Sequence, residues 1–99
     1  MEVTQVVKGD EVILSLRGKL FSPTAQLLDR AVDDALKTSN HIVIDLKELT
    51  FLASSGLRVL LVAEKKVKEK NGSMTLKNPS ELVKKVFVLT GFINILNIE

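Results

Sequence analysis

The chain has 99 residues, of which 45% are hydrophobic, enough for one compact domain and too few for two. Fourteen basic and twelve acidic side chains leave a net charge of only +2, and the sequence contains no Trp or Tyr. Such a small positive charge attracts nucleic acid only weakly, and the aromatic side chains on which bases stack are nearly absent. Both observations argue against nucleic acid as a partner. The absence of cysteine excludes disulfides, thiolate metal sites and cysteine nucleophiles.

No apolar run approaches the roughly 18 residues that span a bilayer, and the first residues do not resemble a secretion signal. We therefore expect a cytoplasmic protein that does not insert into membranes.

Two strands joined by a turn come first. Residues 2–7 and 11–17 are rich in β-branched and apolar side chains, and Lys8-Gly9-Asp10 between them is typical of a hairpin turn. In the second strand Val12, Leu14 and Leu16 alternate with the remaining residues. This alternation predicts that one face of the hairpin lies on the core.

A first helix is predicted from Ser22-Pro23, because Ser22 can accept hydrogen bonds from free N–H groups and a proline is tolerated in the first turn. Apolar residues then recur at helical spacing, namely Ala25, Leu28, Val32, Ala35 and Leu36. The helix is expected to end near residues 38–40.

The middle of the chain predicts a buried strand and a second helix. Residues 41–46 form a nearly unbroken apolar run, which is typical of a central strand covered by helices on both faces. The helix predicted from Ser55 to about Lys70 is apolar in its first half and strongly charged in its second half. It is therefore expected to begin buried and to end exposed.

The last third predicts a strand, a helix and an optional final strand. Asn71-Gly72 matches a left-handed helix stop, and residues 73–77 then form a strand. Asn78 is predicted to cap a third helix that Gly91 ends. The predicted buried face of this helix consists of Leu82, Val83, Val86, Phe87 and Leu89. Residues 93–98 are compatible with one more short strand.

These elements predict an α/β fold in a single domain over residues 1–99, in the order ββαβαβα with a final strand as an option. Each strand-helix-strand unit should cross over right-handed and so make a parallel pair. Because the hairpin adds an antiparallel pair, the sequence predicts one mixed sheet with helices packed on it.

Few residues are available for catalysis. His41 is the only histidine, which leaves no multi-histidine metal site and no catalytic relay with a second histidine. The acidic side chains lie on separate predicted elements or on a solvated helix face, and neither a phosphate-binding glycine loop nor a hydrolase elbow is present. We therefore expect a protein that is not an enzyme and holds no metal or cofactor.

The most informative segment is Leu52-Ala53-Ser54-Ser55-Gly56-Leu57-Arg58, which joins the central strand to the second helix. The first N–H groups of a helix lack internal partners and lie at the positive end of its dipole, so either serine could cap the helix or carry a phosphate. A cap alone stabilises by about 1 kcal/mol and needs no further function. Arg58, four residues after Ser54, lies on the same helical face and could pair with such a phosphate.

Three segments together resemble the STAS domain of the anti-sigma factor antagonist family. The first is residues 41–57, in which a strand leads to Ser-Ser-Gly-Leu at a helix start. The second is Gly18-Lys19-Leu20 before the first helix, and the third is Leu89-Thr90-Gly91-Phe92 near the end. The resemblance covers almost the whole chain and is fairly specific in combination with the order of the elements.

The resemblance implies a STAS-like fold and a protein-binding switch without enzymatic activity. In that family the domain binds an anti-sigma factor with a serine-kinase fold, phosphorylation of a loop serine breaks the complex, and a phosphatase restores it. The family's phosphorylated residue maps onto Ser54, with Ser55 as the second choice. The implied partner-binding residues are Phe21, Ser22, Thr24, Ala53, Ser54, Ser55, Gly56, Leu57 and Arg58.

This chain departs from the family pattern on that surface. Ala53 stands where the family usually carries the Asp that precedes the phosphorylated serine, and Phe21 stands where it often carries another Asp. Arg58 replaces a common glycine and adds bulk and charge. These departures keep a second function open, an unphosphorylated STAS adaptor that docks on a transporter component or another regulator, and both a monomer and a weak dimer remain open.

Overall fold

Four strands and three helices follow one another in a computed structural model that describes residues 1–99. The strands are β1 (Glu2–Lys8), β2 (Glu11–Leu20), β3 (His41–Leu52) and β4 (Ser73–Lys77). The helices are α1 (Ser22–Ala35), α2 (Ser54–Glu69) and α3 (Glu81–Thr90), and a short 3-10 helix covers Phe92–Asn94. The order ββαβαβα confirms the sequence prediction.

The strands form a single mixed sheet in the order β1-β2-β3-β4. β1 and β2 are antiparallel, as the tight turn between them requires, whereas β2, β3 and β4 run parallel to one another. The parallel pairs follow from the crossovers through α1 and α2. β3 has a neighbour on each side, which confirms its predicted central place.

All three helices pack on the same face of the sheet. The strand registers align Val12 with Ile42 and Ile42 with Met74, so these side chains share a face. They belong to one buried core together with Leu28 of α1 and Phe87 of α3. Buried residues of α2 join the same core, namely Leu57, Leu60, Ala63 and Val67.

The prediction that helices cover both faces of β3 was therefore wrong. Val43 points away from the core and is buried in the middle of the other face, where it is 4% exposed. The next positions of β3 on that face are Asp45 and Lys47, which are polar and more accessible. Among residues 41–46, Val43 is the only apolar residue on the face away from the helices. Its presence gave this segment the pattern of a strand that is buried on both faces.

The start of α1 differs from the prediction by one residue. Phe21, not Ser22, is the N-cap, and no side chain caps the helix in the usual way. Instead the Thr24 hydroxyl accepts a hydrogen bond from the Phe21 N–H at 3.1 Å and donates one to the Lys19 carbonyl at 2.6 Å. This contact with the end of β2 fixes where α1 begins.

The start of α3 is also shifted. Ser80, not Asn78, is its N-cap, and the Ser80 hydroxyl accepts a hydrogen bond from the Val83 N–H at 3.2 Å. Asn78 instead adopts a left-handed conformation with φ of 60°. Gly91, with φ of 79°, ends α3 as predicted.

The end of the chain is not a strand. Only one isolated bridge pairs Ile98 with Leu76 of β4, so the optional final strand was wrong. The predicted buried face of α3 is also too wide. Val83 and Phe87 are buried, but Leu82 is 62% exposed and Leu89 is 76% exposed. Only a narrow stripe of α3 therefore packs against the core.

Candidate functional site

The ends of β2 and β3 bring two helix starts together at one end of the sheet. The register aligns Leu20 with Leu52, and the Ala53 N–H donates a hydrogen bond to the Leu20 carbonyl at 3.0 Å. A single residue joins each strand to the helix that follows it, Phe21 before α1 and Ala53 before α2. The two connections therefore lie side by side.

Ala53 is the N-cap of α2, and neither neighbouring serine caps the helix. The Ala53 carbonyl accepts hydrogen bonds from the Gly56 N–H at 3.0 Å and the Leu57 N–H at 3.1 Å. The N–H groups of Ser54 and Ser55 have no backbone acceptor. The alternative in which a serine caps α2 was therefore wrong, and the exposed Ser54 hydroxyl has no structural partner within the chain.

Gly56 allows the first turn of α2 to lie directly against the end of β2. A Cβ atom at Gly56 would come within 2.7 Å of Leu20 Cγ and 2.9 Å of Leu52 Cδ1. Leu57, the next residue, is itself buried in the core. Gly56 and Leu57 thus hold α2 in place, and they keep Ser54 at the surface.

The electrostatic surroundings of Ser54 favour an anion. The first turn of α2 contains no acidic side chain, and the first turn of α1 beside it contains none either. Arg58 is exposed and forms no ion pair. One short stretch of surface therefore combines the free N–H groups at the positive end of the helix dipole with an unpaired guanidinium.

An aromatic pair lies beside this helix start. Phe21 and Phe51 pack edge to face, with their ring centroids 6.2 Å apart and their planes at 89°. Phe51 remains 45% exposed, so the pair forms an apolar part of the surface. Sequence reasoning identified Phe21 but missed Phe51.

The missed Phe51 has a structural reason. The β2–β3 register shifts between Ser15 and Arg17 and again between Gly18 and Lys19, which places extra residues in β3. These bulges break the strict alternation of faces, so both Leu49 and Leu52 are buried. The side-chain direction of Phe51 could not be derived by counting along the strand.

The structure brings the predicted contact residues together at this end of the sheet, with different accessibilities. Ser22, Ser54 and Arg58 are exposed, Phe21, Thr24, Ala53 and Ser55 are half-buried, and Gly56 and Leu57 are buried. No group of three or more His, Cys, Asp or Glu side chains is arranged to hold a metal ion. None of the helices is both long enough and apolar enough to cross a membrane.

Comparison with known proteins gives a consistent result at the sequence level. The family model of the STAS domain matches residues 2–99. The anti-sigma F factor antagonist of Paenibacillus polymyxa is 32% identical over 89 residues, which cover 88% of this chain and 76% of that protein.

Solved structures share the same fold. A crystal structure from Thermotoga maritima, of a protein assigned as a candidate anti-sigma factor antagonist, matches with a TM-score of 0.89 at 28% identity and covers 97% of this chain and 84% of that chain. The anti-sigma factor antagonist SpoIIAA in its unphosphorylated form matches with a TM-score of 0.83 at 22% identity over 99% of this chain and 88% of that one. The phosphorylated form of Bacillus SpoIIAA matches with a TM-score of 0.74 over 99% of this chain and 91% of that one. These likenesses confirm the predicted fold.

Proposed function

The chain belongs to the STAS domain family, and from this premise we propose that it is an anti-sigma factor antagonist regulated by phosphorylation of Ser54. The name of the Paenibacillus polymyxa relative supports the binding function. SpoIIAA, which shares the fold, exists in a phosphorylated and an unphosphorylated form. The observation that carries the proposal is the exposed Ser54 hydroxyl, which has no structural role at an open helix start.

Phosphorylation at Ser54 is chemically compatible with this helix start. A kinase would transfer the terminal phosphoryl group of ATP to Ser54 Oγ, which loses its proton to a base of the kinase while ADP leaves. The new phosphate carries a charge of about −2 and can accept hydrogen bonds from the free N–H groups of Ser54 and Ser55. Arg58, one helical turn away, adds a guanidinium on the same face.

The unphosphorylated surface fits a protein partner. It combines the exposed ring of Phe51 and its neighbour Phe21 with the polar side chains of Ser22 and Ser54 and the cationic Arg58. A dianionic phosphate in the middle of this surface must be desolvated on binding, and it repels any acidic group of the partner. We assign the partner to the anti-sigma factors with a serine-kinase fold, and a phosphatase restores the binding form.

The proposal is tested by incubating the chain with its cognate kinase and ATP and measuring the intact mass. We expect a gain of about 80 Da, the net mass added when one phosphoryl group replaces the hydroxyl proton. Ser54→Ala should abolish this gain, whereas the matched control Ser55→Ala should retain it. A gain that persists in Ser54→Ala would overturn the assignment of the site.

A second candidate function is an adaptor that binds its partner without phosphorylation. One observation favours it, because no carboxylate is present in the first turn of α1 or α2, and Ala53 and Phe21 occupy the connecting positions. An adaptor would bind its partner equally well with and without prior kinase treatment. Binding of kinase-treated and untreated chain to the anti-sigma factor separates the two functions, since only the switch loses affinity after treatment.

A further inference from the structure

The two edges of the sheet differ in accessibility. The outer edge of β4 is covered by the C-terminal segment, because the Leu76 N–H donates to the Asn97 carbonyl at 2.9 Å and the Glu99 N–H donates to the Leu76 carbonyl at 2.8 Å. Residues 2–8 of β1, in contrast, make no backbone hydrogen bond outside their ladder with β2. β1 is therefore the open edge of the sheet.

Between its charged ends, Glu2 and Lys8, β1 lacks the features that usually prevent an edge strand from pairing. Its seven residues pair with β2 in a continuous register without a bulge, and the strand contains no proline. Residues 3–7 are all uncharged, and Val6 and Val7 are 56% and 55% exposed. A regular, exposed edge whose middle residues are uncharged pairs readily with another strand.

We propose that β1 pairs in antiparallel fashion with β1 of a second copy of this chain, about a twofold axis through Gln5. This register places Glu2 opposite the partner's Lys8 and Lys8 opposite the partner's Glu2. It also places Val3 opposite the partner's Val7, on the face of the sheet that carries the helices. The result is one continuous sheet with four strands from each copy.

The charge pattern favours this register over its neighbours. Antiparallel partners must have side chains on the same face, so a symmetric pair can shift only in steps that move the axis to Thr4 or Val6. With an axis through Thr4, Lys8 extends beyond the end of the partner strand and has no residue opposite it. With an axis through Val6, Glu2 extends beyond the other end and is likewise unpaired. Only the axis through Gln5 pairs all seven positions and both charges.

The helix layer adds apolar surface on the same side of the molecule. Asp29 and Asp33 of α1 bind Lys66 of α2. At 100° per residue, Leu27 therefore lies on the opposite side of α1, towards the β1 edge, and it is 45% exposed. Pairing of the strands brings the α1 helices of the two copies towards each other, which shields this side chain.

The dimer leaves both candidate sites open. Antiparallel pairing reverses one sheet relative to the other, so the sheet ends that carry Ser54 lie at opposite ends of the dimer. Dimerisation through β1 does not require phosphorylation of Ser54. A dimer of this form would present two binding sites to its partners.

Sedimentation equilibrium of the full chain over a wide concentration range tests the proposal, with the charge variants Glu2→Lys and Lys8→Glu. We expect the wild type to dimerise and each variant alone to dimerise roughly tenfold more weakly, because each places two like-charged pairs across the axis. An equimolar mixture of the two variants should restore the dimer. In the mixed dimer both end pairs again join a lysine to a glutamate.

The mixture also controls for folding. Glu2→Lys removes a contact with Arg17, whose guanidinium lies 4.0 Å from the Glu2 carboxylate, and Lys8→Glu places a carboxylate opposite Glu11 of β2. A damaged hairpin would not be repaired by mixing, whereas a repelled interface would. A wild type that stays monomeric throughout, or a mixture that does not reassociate, would overturn the proposal.

An exposed residue of α3 provides a control for the surface. Leu89→Lys should leave the dimer unchanged, because Leu89 lies on α3 rather than at the β1 edge. Loss of the dimer in Leu89→Lys together with an unchanged dimer in both charge variants would place the contact on α3 and refute pairing through β1.

Discussion

Gly56 lies so close to Leu20 that a methyl group on Gly56 would come within 2.7 Å of Leu20 Cγ and 2.9 Å of the Leu20 carbonyl oxygen. This contact joins the first turn of α2 to the last residue of β2. It sets the height of α2 above the sheet and thereby the place of Ser54, two residues earlier. The geometry of the candidate site thus depends on a residue that does not itself reach the surface.

Gly56→Ala should destabilise the protein although alanine is the better helix former. The gain in helix propensity is about 1 kcal/mol, but the added methyl group would overlap with Leu20 and Leu52. Overpacking of this kind usually costs about 1–3 kcal/mol, so we expect a net loss in the free energy of unfolding measured in urea. Ser55→Ala in the same turn is the matched control and should change little. Equal or higher stability of Gly56→Ala would show that α2 can move away from β2 freely.

Ala53→Asp should stabilise the protein. Ala53 occupies the N-cap of α2 without a side-chain acceptor, and Asp at this position can accept from the free Ser55 N–H. The expected increase in the free energy of unfolding is about 1 kcal/mol, measurable as a higher urea midpoint. Ser54→Ala serves as the control and should be nearly neutral, because its hydroxyl caps nothing. If Ser54→Ala lowered the free energy of unfolding by about 1 kcal/mol, the value of a helix cap, this would contradict the assignment of Ala53 as the N-cap.

Much of the fold is predictable from the sequence, whereas the helix starts are less so. Hydrophobic periodicity located the strands and helices, since burial of one face is a property of each segment itself. Ser22 and Asn78 have the chemistry of caps, but α1 begins where Thr24 bonds to the end of β2. The start of α2 is likewise fixed by the hydrogen bond from Ala53 to Leu20. Such contacts join distant segments and leave no local pattern.

The candidate site is predictable in part for the same reason. Ser54 and Arg58 follow from a helix start and from helical spacing, and both are exposed as a site requires. The aromatic pair with Phe51 depends on bulges between β2 and β3, and no local sequence pattern predicts these bulges. The helices cover only one face of the sheet. The sequence does not predict this, because the consecutive residues Ile42, Val43 and Ile44 are all apolar although they alternate between the two faces.

The edge-to-face pair of Phe21 and Phe51 should contribute measurable coupling to stability. Their rings are 6.2 Å apart and join the start of α1 to the end of β3. A double-mutant cycle with Phe21→Leu, Phe51→Leu and both substitutions together should give a coupling of about 0.5–1.5 kcal/mol in urea unfolding. Strictly additive effects would show that the two rings are neighbours without interacting.

Lys66 links α2 to α1 through two carboxylates, and its removal should weaken the fold. The ammonium lies 2.8 Å from Asp29 and 2.9 Å from Asp33, in a partly shielded position. Lys66→Met keeps an unbranched side chain of nearly the same length, but it removes the charge that separates the two carboxylates. We expect a loss of about 1 kcal/mol at neutral pH, and the exposed Lys65→Met should lose little.

The contribution of Lys66 should also disappear at alkaline pH. Hydrogen bonds from the ammonium to Asp29 and then Asp33 raise the pKa of Lys66 above its ordinary value of 10.5. Because the folded state binds this proton more tightly, the stabilisation is complete below pH 10.5 and is lost as the pH rises through the higher pKa of the folded state. The difference in unfolding free energy between wild type and Lys66→Met should therefore shrink above that pH, while the difference between wild type and Lys65→Met stays constant. A Lys66→Met difference that persists unchanged at high pH would mean that side-chain packing, and not the charge, holds α1 and α2 together at this point.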